Sequence, residues 1–429
     1  MVKVYEFFII AAILIANCIV SYKSTFRKLH RSFSIDDHKF DTPRSDHQRI
    51  KRQLPLLPYF TIPFVYASLC NAADSIRFET KASPRPLVYS VEMVDPPSLL
   101  PRTAIGEENV AKRLYEQDVV LLGEHKESFL DKSLEFDIIN RMIKNKASKR
   151  ILKIGLDAFE ESSQIYFDEY ISNYSINKEK ADQILLENLS LNGLNSKTNV
   201  TSYLPIFQLA RSNGIQLKAL GITEKIKQKV IENGLAGLTD KEKSMYILDS
   251  RGFIDFVRLP GFKQYTDRII VPEYDEAVKR ISSSKTITPE TYFASRIFED
   301  EALACKMTIE ADNNSTLVVI LSNQKVKFGY GVQERTKRNL QLKYNQTAGG
   351  IKAQILSVLL NPTALDSNSP IAQLQLCLGY GPFLPDQRPL SNYLWFSSYP
   401  PVKILTRPKN PISAEGEKPP GEASIIGAF

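Results

Sequence analysis

Three short apolar runs, Val119–Leu122, Leu317–Leu321 and Ile355–Leu360, limit what this chain can fold into. Each is too short for a buried helix and lacks the polar alternation of a half-exposed strand, so each reads as a strand buried on both faces. Two further strands are expected at Ile151–Leu156 and Ile215–Leu220. Helical spacing of apolar residues separates them, over Glu107–Tyr115, Phe129–Lys146 (Leu130, Leu134, Ile138, Ile139, Met142), 161–172, 177–190, Tyr203–Arg211, Pro289–Glu310 and Glu334–Leu342. This alternation predicts an α/β fold, a mainly parallel central sheet flanked by helices. Residues 223–285 read as a helical cap or insertion with two charged turns, and Gly329–Gly331 as a glycine hinge.

The run at Val119 ends in Gly123-Glu124-His125-Lys126-Glu127. In open α/β sheets, ligands are met outside the carboxyl ends of the strands, so these ionisable side chains form the first candidate site. His125 is the only histidine beyond residue 53; His30, His38 and His47 all lie before it. No zinc or two-histidine metal centre is therefore expected. The four cysteines, Cys18, Cys70, Cys305 and Cys377, show no CxxC spacing and no disulfide framework.

Residues 1–53 carry ten Lys or Arg against five Asp or Glu, which accounts for +5 of the formal +7. The rest of the chain is nearly balanced, so no nucleic-acid partner is expected. Phe7–Val20 fits the apolar core of a signal peptide, giving a leader at 1–21. The basic segment 22–53 is transit-like, 54–86 is a Pro-rich apolar arm or linker, and no membrane span is expected in the mature chain. The folded domain is expected over 87–400, with a disordered tail at 401–429. These segments suggest passage through the secretory pathway and then into a plastid of the apicoplast type, the alternative being a secreted or membrane-anchored protein.

Several segments in order resemble the ChaN-like family, the haem-binding uptake proteins of the Tiki/erythromycin-esterase superfamily. They are Pro96–Leu99, Val119–His125, Gly155–Phe159 with Gln164, Tyr203–Pro205 with Ala210-Arg211, Phe298–Glu301 with Ala304, and Gly329–Val332 with Arg335. Gly237–Tyr246 and Asn392–Ser397 look most like the plastid variety, which includes the N-terminal domain of RETICULATA-related proteins. The resemblance implies a homodimer that binds haem, or a related tetrapyrrole or small anionic ligand, at the strand-end crevice. It places Glu124, His125, Lys126, Asp157, Gln164, Tyr203, Asp300, Glu301, Lys325 and Arg335 at ligand-binding positions.

Lys126 and Lys325 stand where the family has histidine, and Asp157 replaces a longer acid. A lysine is protonated at neutral pH and does not ligate a metal, which weighs against a hydrolytic metal centre. Two cations in one crevice would suit a carboxylate, phosphate or propionate. The alternatives are acid/base or metal-dependent hydrolysis of the Tiki/erythromycin-esterase type, with Glu124, His125 and Asp157 catalytic, and a non-catalytic scaffold. Of Asp300 and Glu301, adjacent on a helix, only one is expected to point inward.

Overall fold

The computed structural model describes residues 87–94, 98–101, 106–145, 150–173, 177–192, 199–280, 287–347, 351–367, 374–378, 388–397, 403–405 and 425–427. The leader, the basic segment and the Pro-rich arm lie outside these residues. Among the described residues, no helix is long and apolar enough to cross a membrane. In the segment read as a tail, Lys403–Leu405 pairs antiparallel with Ile425–Gly427.

The strands are β1 (Leu87–Val94), β2 (Ser98–Pro101), β3 (Val119–Glu124), β4 (Ile151–Glu160), β5 (Gln216–Gly221), β6 (Ser315–Ser322), β7 (Ile355–Leu360), β8 (Cys377–Leu378), β9 (Arg388–Pro389) and β10 (Tyr393–Phe396). Eight of them form one sheet in the order β2-β1-β10-β7-β3-β6-β4-β5. From β10 to β5 every pairing is parallel, and β1 and β2 complete the other edge antiparallel. The sheet is the mainly parallel α/β sheet expected from the apolar runs.

All six residues of β3 are buried, and they divide between two packed faces. Val120 and Leu122 join the core beneath α1 (Glu107–Tyr115), α2 (Phe129–Lys144), α3 (Gln164–Ser172), α4 (Lys178–Asn192) and α5 (Leu204–Ser212). Val119 and Leu121 face the opposite layer, with Leu303, Met307, Leu340 and Tyr344 from α11 (Pro289–Glu310) and α12 (Gln333–Thr347). Each such side chain taken from water contributes roughly 1.5–3 kcal/mol. This two-sided burial is why the run carries no polar alternation.

Between β5 and α11 the described chain is helical: α6 (Glu224–Asn233), α7 (Asp240–Tyr246), α8 (Ser250–Val257), α9 (Pro260–Tyr265), a π turn at Thr266–Ile270, and α10 (Val271–Arg280). Phe253, Phe256, Phe262 and Tyr265 from it share one apolar cluster with Leu359, Leu394 and Phe396 of the sheet. The three phenylalanines also cover the guanidinium of Arg335 on α12, which is fully buried and lies 4.7 Å from the Phe256 ring centre. Arg335 donates to Glu301 at 2.9 Å, and Glu301 also accepts from Arg338 at 2.5 Å and Asn339 at 3.2 Å.

One expectation is corrected at this level. Asp300 and Glu301 are both buried, because α11 is enclosed on both sides: Asp300 takes Arg296 on its own helix, and Glu301 takes the arginines of α12. The glycines at 329–331 have two separate local roles, close packing at Gly331 and a left-handed backbone at Gly329. A Cβ at Gly331 would meet the Lys325 carbonyl oxygen at 2.4 Å, and Gly329 has φ +68.

Removing one member of a buried ion pair strands the other's charge. Glu301→Ala is therefore expected to destabilise the fold by about 3–5 kcal/mol in urea unfolding. A loss under about 1 kcal/mol would remove the buried-pair account of the α11–α12 contact.

Candidate functional site

Register brings three chain exits to one level. Glu124 on β3 is opposite Ser322 on β6, and Gly123 is opposite Leu359 on β7. The next residues, His125, Asn323 and Asn361, leave the sheet together. A Cβ at Gly123 would sit 2.9 Å from the Val326 side chain, so glycine there allows the helical turn Asn323–Val326 to pack over β3. Of the described non-glycine residues, Glu127 (φ 67), Phe328 (φ 59) and Asn361 (φ 41) are those with left-handed backbone, and each follows one of these three strands. Strain of this kind is retained where surrounding structure over-determines it, commonly at functional sites.

Both nitrogens of the His125 ring are taken by carboxylates. Nδ1 lies 2.8 Å from Asp131 and Nε2 lies 3.0 Å from Asp366. Asp131, fully buried on the first turn of α2, also accepts from the His125 backbone N–H and from Asn361 Nδ2, each at 2.7 Å. Asp366 accepts from Asn323 at 2.7 Å, Lys327 at 2.9 Å, and the Thr363 N–H and hydroxyl at 2.6 and 3.0 Å. Asn361 is held in turn by the Ser397 N–H and hydroxyl, which donate to its Oδ1. Burial opposes charge on the ring, but the hydrogen bonds to Asp131 and Asp366 outweigh it and raise the imidazole to about 9. Burial likewise opposes the Asp366 carboxylate, yet His125 and Lys327 hold it well below the usual range. At neutral pH the ring is an imidazolium donating on both sides.

Glu124 points into a separate buried cluster. It accepts from the Tyr203 hydroxyl at 2.6 Å and from the Lys132 ammonium, which sits 3.4 Å from the Tyr203 ring centre. Lys132 also reaches Glu135 at 3.4 Å, a fully buried acid whose pKa is pushed well up by burial and by the charge of Glu124. Burial also raises the Tyr203 phenol far above its ordinary value, with the Glu124 charge adding to it.

The remaining predicted residues fall into further pairs. Asp157 receives Lys325 on both oxygens, at 2.9 and 2.7 Å. Burial would lower Lys325, but the Asp157 charge beside it raises its pKa overall. Gln164 closes the edge strand β5, donating to the Leu217 carbonyl at 2.9 Å and accepting from Ala219 N–H at 2.8 Å. Lys126 is exposed. The structure thus joins Glu124 with Tyr203, Asp157 with Lys325, and Glu301 with Arg335, while the bonding partners of His125 are two aspartates.

Sequence reading missed Asp131, Asp366, Lys327, Lys132 and Glu135. A local signal existed for Asp131 alone, in Ser128-x-x-Asp131: the Ser128 hydroxyl caps α2 by accepting from Asp131 N–H at 3.2 Å. The rim of the site also departs from expectation. Phe129 and Leu130, read as the start of an amphipathic face, are 82% and 57% exposed, and Leu365, preceding Asp366, is 80% exposed. Phe129 and Leu365 are the most exposed large apolar side chains among the described residues, and they flank the two partners of His125. Among the described residues, no group of three His, Cys, Asp or Glu side chains is arranged to hold a metal ion.

The ring has a folded-state pKa above its ordinary 6.5, so its contribution to stability is complete below pH 6.5 and is lost as pH rises towards about 9. With the ring 28% exposed and partly screened, the loss is expected to be on the order of 2 kcal/mol. Denaturant titrations across that window should show it in the parent chain and not in His125→Gln. A profile unchanged by the substitution would remove the imidazolium.

A family profile described as haem-binding uptake, Tiki superfamily, ChaN matches residues 110–336. The chloroplastic Protein RETICULATA-RELATED 5 of Arabidopsis thaliana is 23% identical over 316 residues, 70% of this chain and 37% of that protein. The chain therefore spans little more than a third of that relative's length. The solved structure described as cofacial heme binding to ChaN of Campylobacter jejuni is 12% identical, with a TM-score of 0.45 over 72% of this chain and 96% of that one. That of the type III effector HopBA1 is 9% identical, with a TM-score of 0.31 over 68% of this chain and 93% of that one. With the profile running from α1 into α12 across more than half of its length, the chain belongs to the ChaN-like haem-binding uptake family of the Tiki superfamily.

Proposed function

We propose that this protein binds a haem-type tetrapyrrole on the rim of the strand ends, in a plastid. The observation that carries this reading is the strong exposure of Phe129, Leu130 and Leu365, which neighbour in sequence the two aspartates, Asp131 and Asp366, that hold the lone body histidine. A flat macrocycle laid on them removes apolar surface from water on both sides, worth about 25 cal/mol per Å². Lys126, exposed on the loop between His125 and α2, would suit a propionate. The family supports the ligand class, and the chloroplastic relative supports the location. A homodimer with one macrocycle face covered by each subunit would follow the same logic of apolar burial.

A second reading, a scaffold that kept the fold, is favoured by the pairing of Lys325, Lys327, Arg296 and Arg335 with internal carboxylates. Hydrolysis by His125 as general base is less well supported, since neither ring nitrogen is free to accept a proton.

Titration of the protein with haemin separates these readings. A Soret shift at micromolar haemin is expected, weakened about tenfold or more in Phe129→Ser/Leu365→Ser, a loss of roughly 1.4 kcal/mol. No shift at that concentration would favour the scaffold. Residues 1–86 fused to a fluorescent protein are expected to reach a plastid, and uniform export from the cell would defeat the plastid assignment.

A further inference from the structure

Haem iron in proteins is held by imidazole, thiolate, thioether or phenolate. Among the described residues of this site the candidates are His125 and Tyr203, and neither presents a free donor atom. His125 offers two N–H groups to two anchored carboxylates, 2.8 and 3.0 Å away. Freeing a nitrogen would leave Asp131 or Asp366 without that donor while Asn361, Asn323, Thr363 and Lys327 still hold them in place. Tyr203 is 3% exposed, its hydroxyl donates to Glu124, and the Lys132 ammonium covers its ring. The donor set therefore does not fit ligation of haem iron, whereas exposed Phe129, Leu130 and Leu365 offer apolar area that the face of a macrocycle would cover.

We infer that the rim recognises a tetrapyrrole by its flat apolar face and anionic edge, without an iron–imidazole bond, and so accepts a metal-free porphyrin as readily as haem. This rests on the tetrapyrrole reading and narrows it to recognition that is indifferent to the metal. The groups facing His125 are Asp131 from α2 and Asp366 from the turn after β7, the latter neutralised by Lys327 from the exit of β6. They give the ring a structural cation's task, tying the first turn of α2, which carries Phe129 and Leu130, to the turn that carries Leu365.

The test is parallel titration of the full chain with haemin, followed by absorbance, and with protoporphyrin IX, followed by fluorescence. The two dissociation constants are expected to agree within about threefold, and the bound haemin spectrum to be the same in His125→Gln. Haemin binding more than about 30-fold tighter than protoporphyrin IX would overturn the inference and leave the tetrapyrrole reading standing. If neither porphyrin binds a chain shown folded by circular dichroism, the tetrapyrrole reading falls and this inference with it. The ratio in the parent chain needs no variant, so a poorly folding His125→Gln does not blunt the test. Lys126→Glu, at an exposed position, should weaken both porphyrins alike.

Discussion

The strand-end architecture depends on a cation with two anionic neighbours: the His125 imidazolium between Asp131 and Asp366. Each carboxylate belongs to a different part of the chain, one to the first turn of α2 and one to the turn that follows β7. Two buried carboxylates this close would repel if the ring were neutral or absent, and burial makes unpaired charge expensive. Charged, the ring satisfies both and fixes the loop 125–128 against the loop 361–367. Lys327 supplies the second positive charge, so the group of two acids and two cations is neutral as a whole.

The backbone bears the cost of this arrangement. Left-handed conformations at Glu127, Phe328 and Asn361 each disfavour an ordinary side chain, on the order of 1–3 kcal/mol. Each one lies close to a member of the network: Glu127 is two residues beyond His125, Phe328 follows Lys327, and Asn361 holds Asp131 through its own amide. Phe328 is fully buried, so packing compensates for its conformation. Asn361 tolerates it through side-chain bonds to Ser397 and Asp131. The strain and the charge network are thus two aspects of one junction, drawn from β3, β6, β7 and the end of β10.

How legible this was in the sequence depended on the range of the interaction. β3 could be read because burial on both faces writes itself into consecutive residues, and α1 and α11 because their apolar faces recur every three to four positions. Asp366 could not, since it lies 241 residues from His125 and no local pattern marks it. Lys325 was singled out and Lys327 was not, although Lys327 is the one that joins the histidine network; the two differ only in which neighbour the turn after β6 gives them. Gln164 stood out by resemblance, but its task of sealing an edge strand appears only once β5 is known to be the edge. Helix geometry alone admits only one of Asp300 and Glu301 to the interior, because it assumes one solvent face, and α11 has none at that level.

The internal pairing also decides where binding free energy can come from. A floor of unpaired lysines would gain strongly from an anion, because the anion would relieve an uncompensated charge. Here Lys325 already has both oxygens of Asp157, and Lys327 has Asp366. An incoming anion would have to displace a carboxylate held at covalently fixed proximity, and the exchange returns little. What remains uncompensated is apolar: side chains at Phe129, Leu130 and Leu365 left in water by a fold that buries most others of their kind. A ligand that gains from this surface must present a broad hydrocarbon face and keep its charges at the edge, where solvent can meet them. That requirement comes from the saturation of the floor as much as from the exposure of the rim.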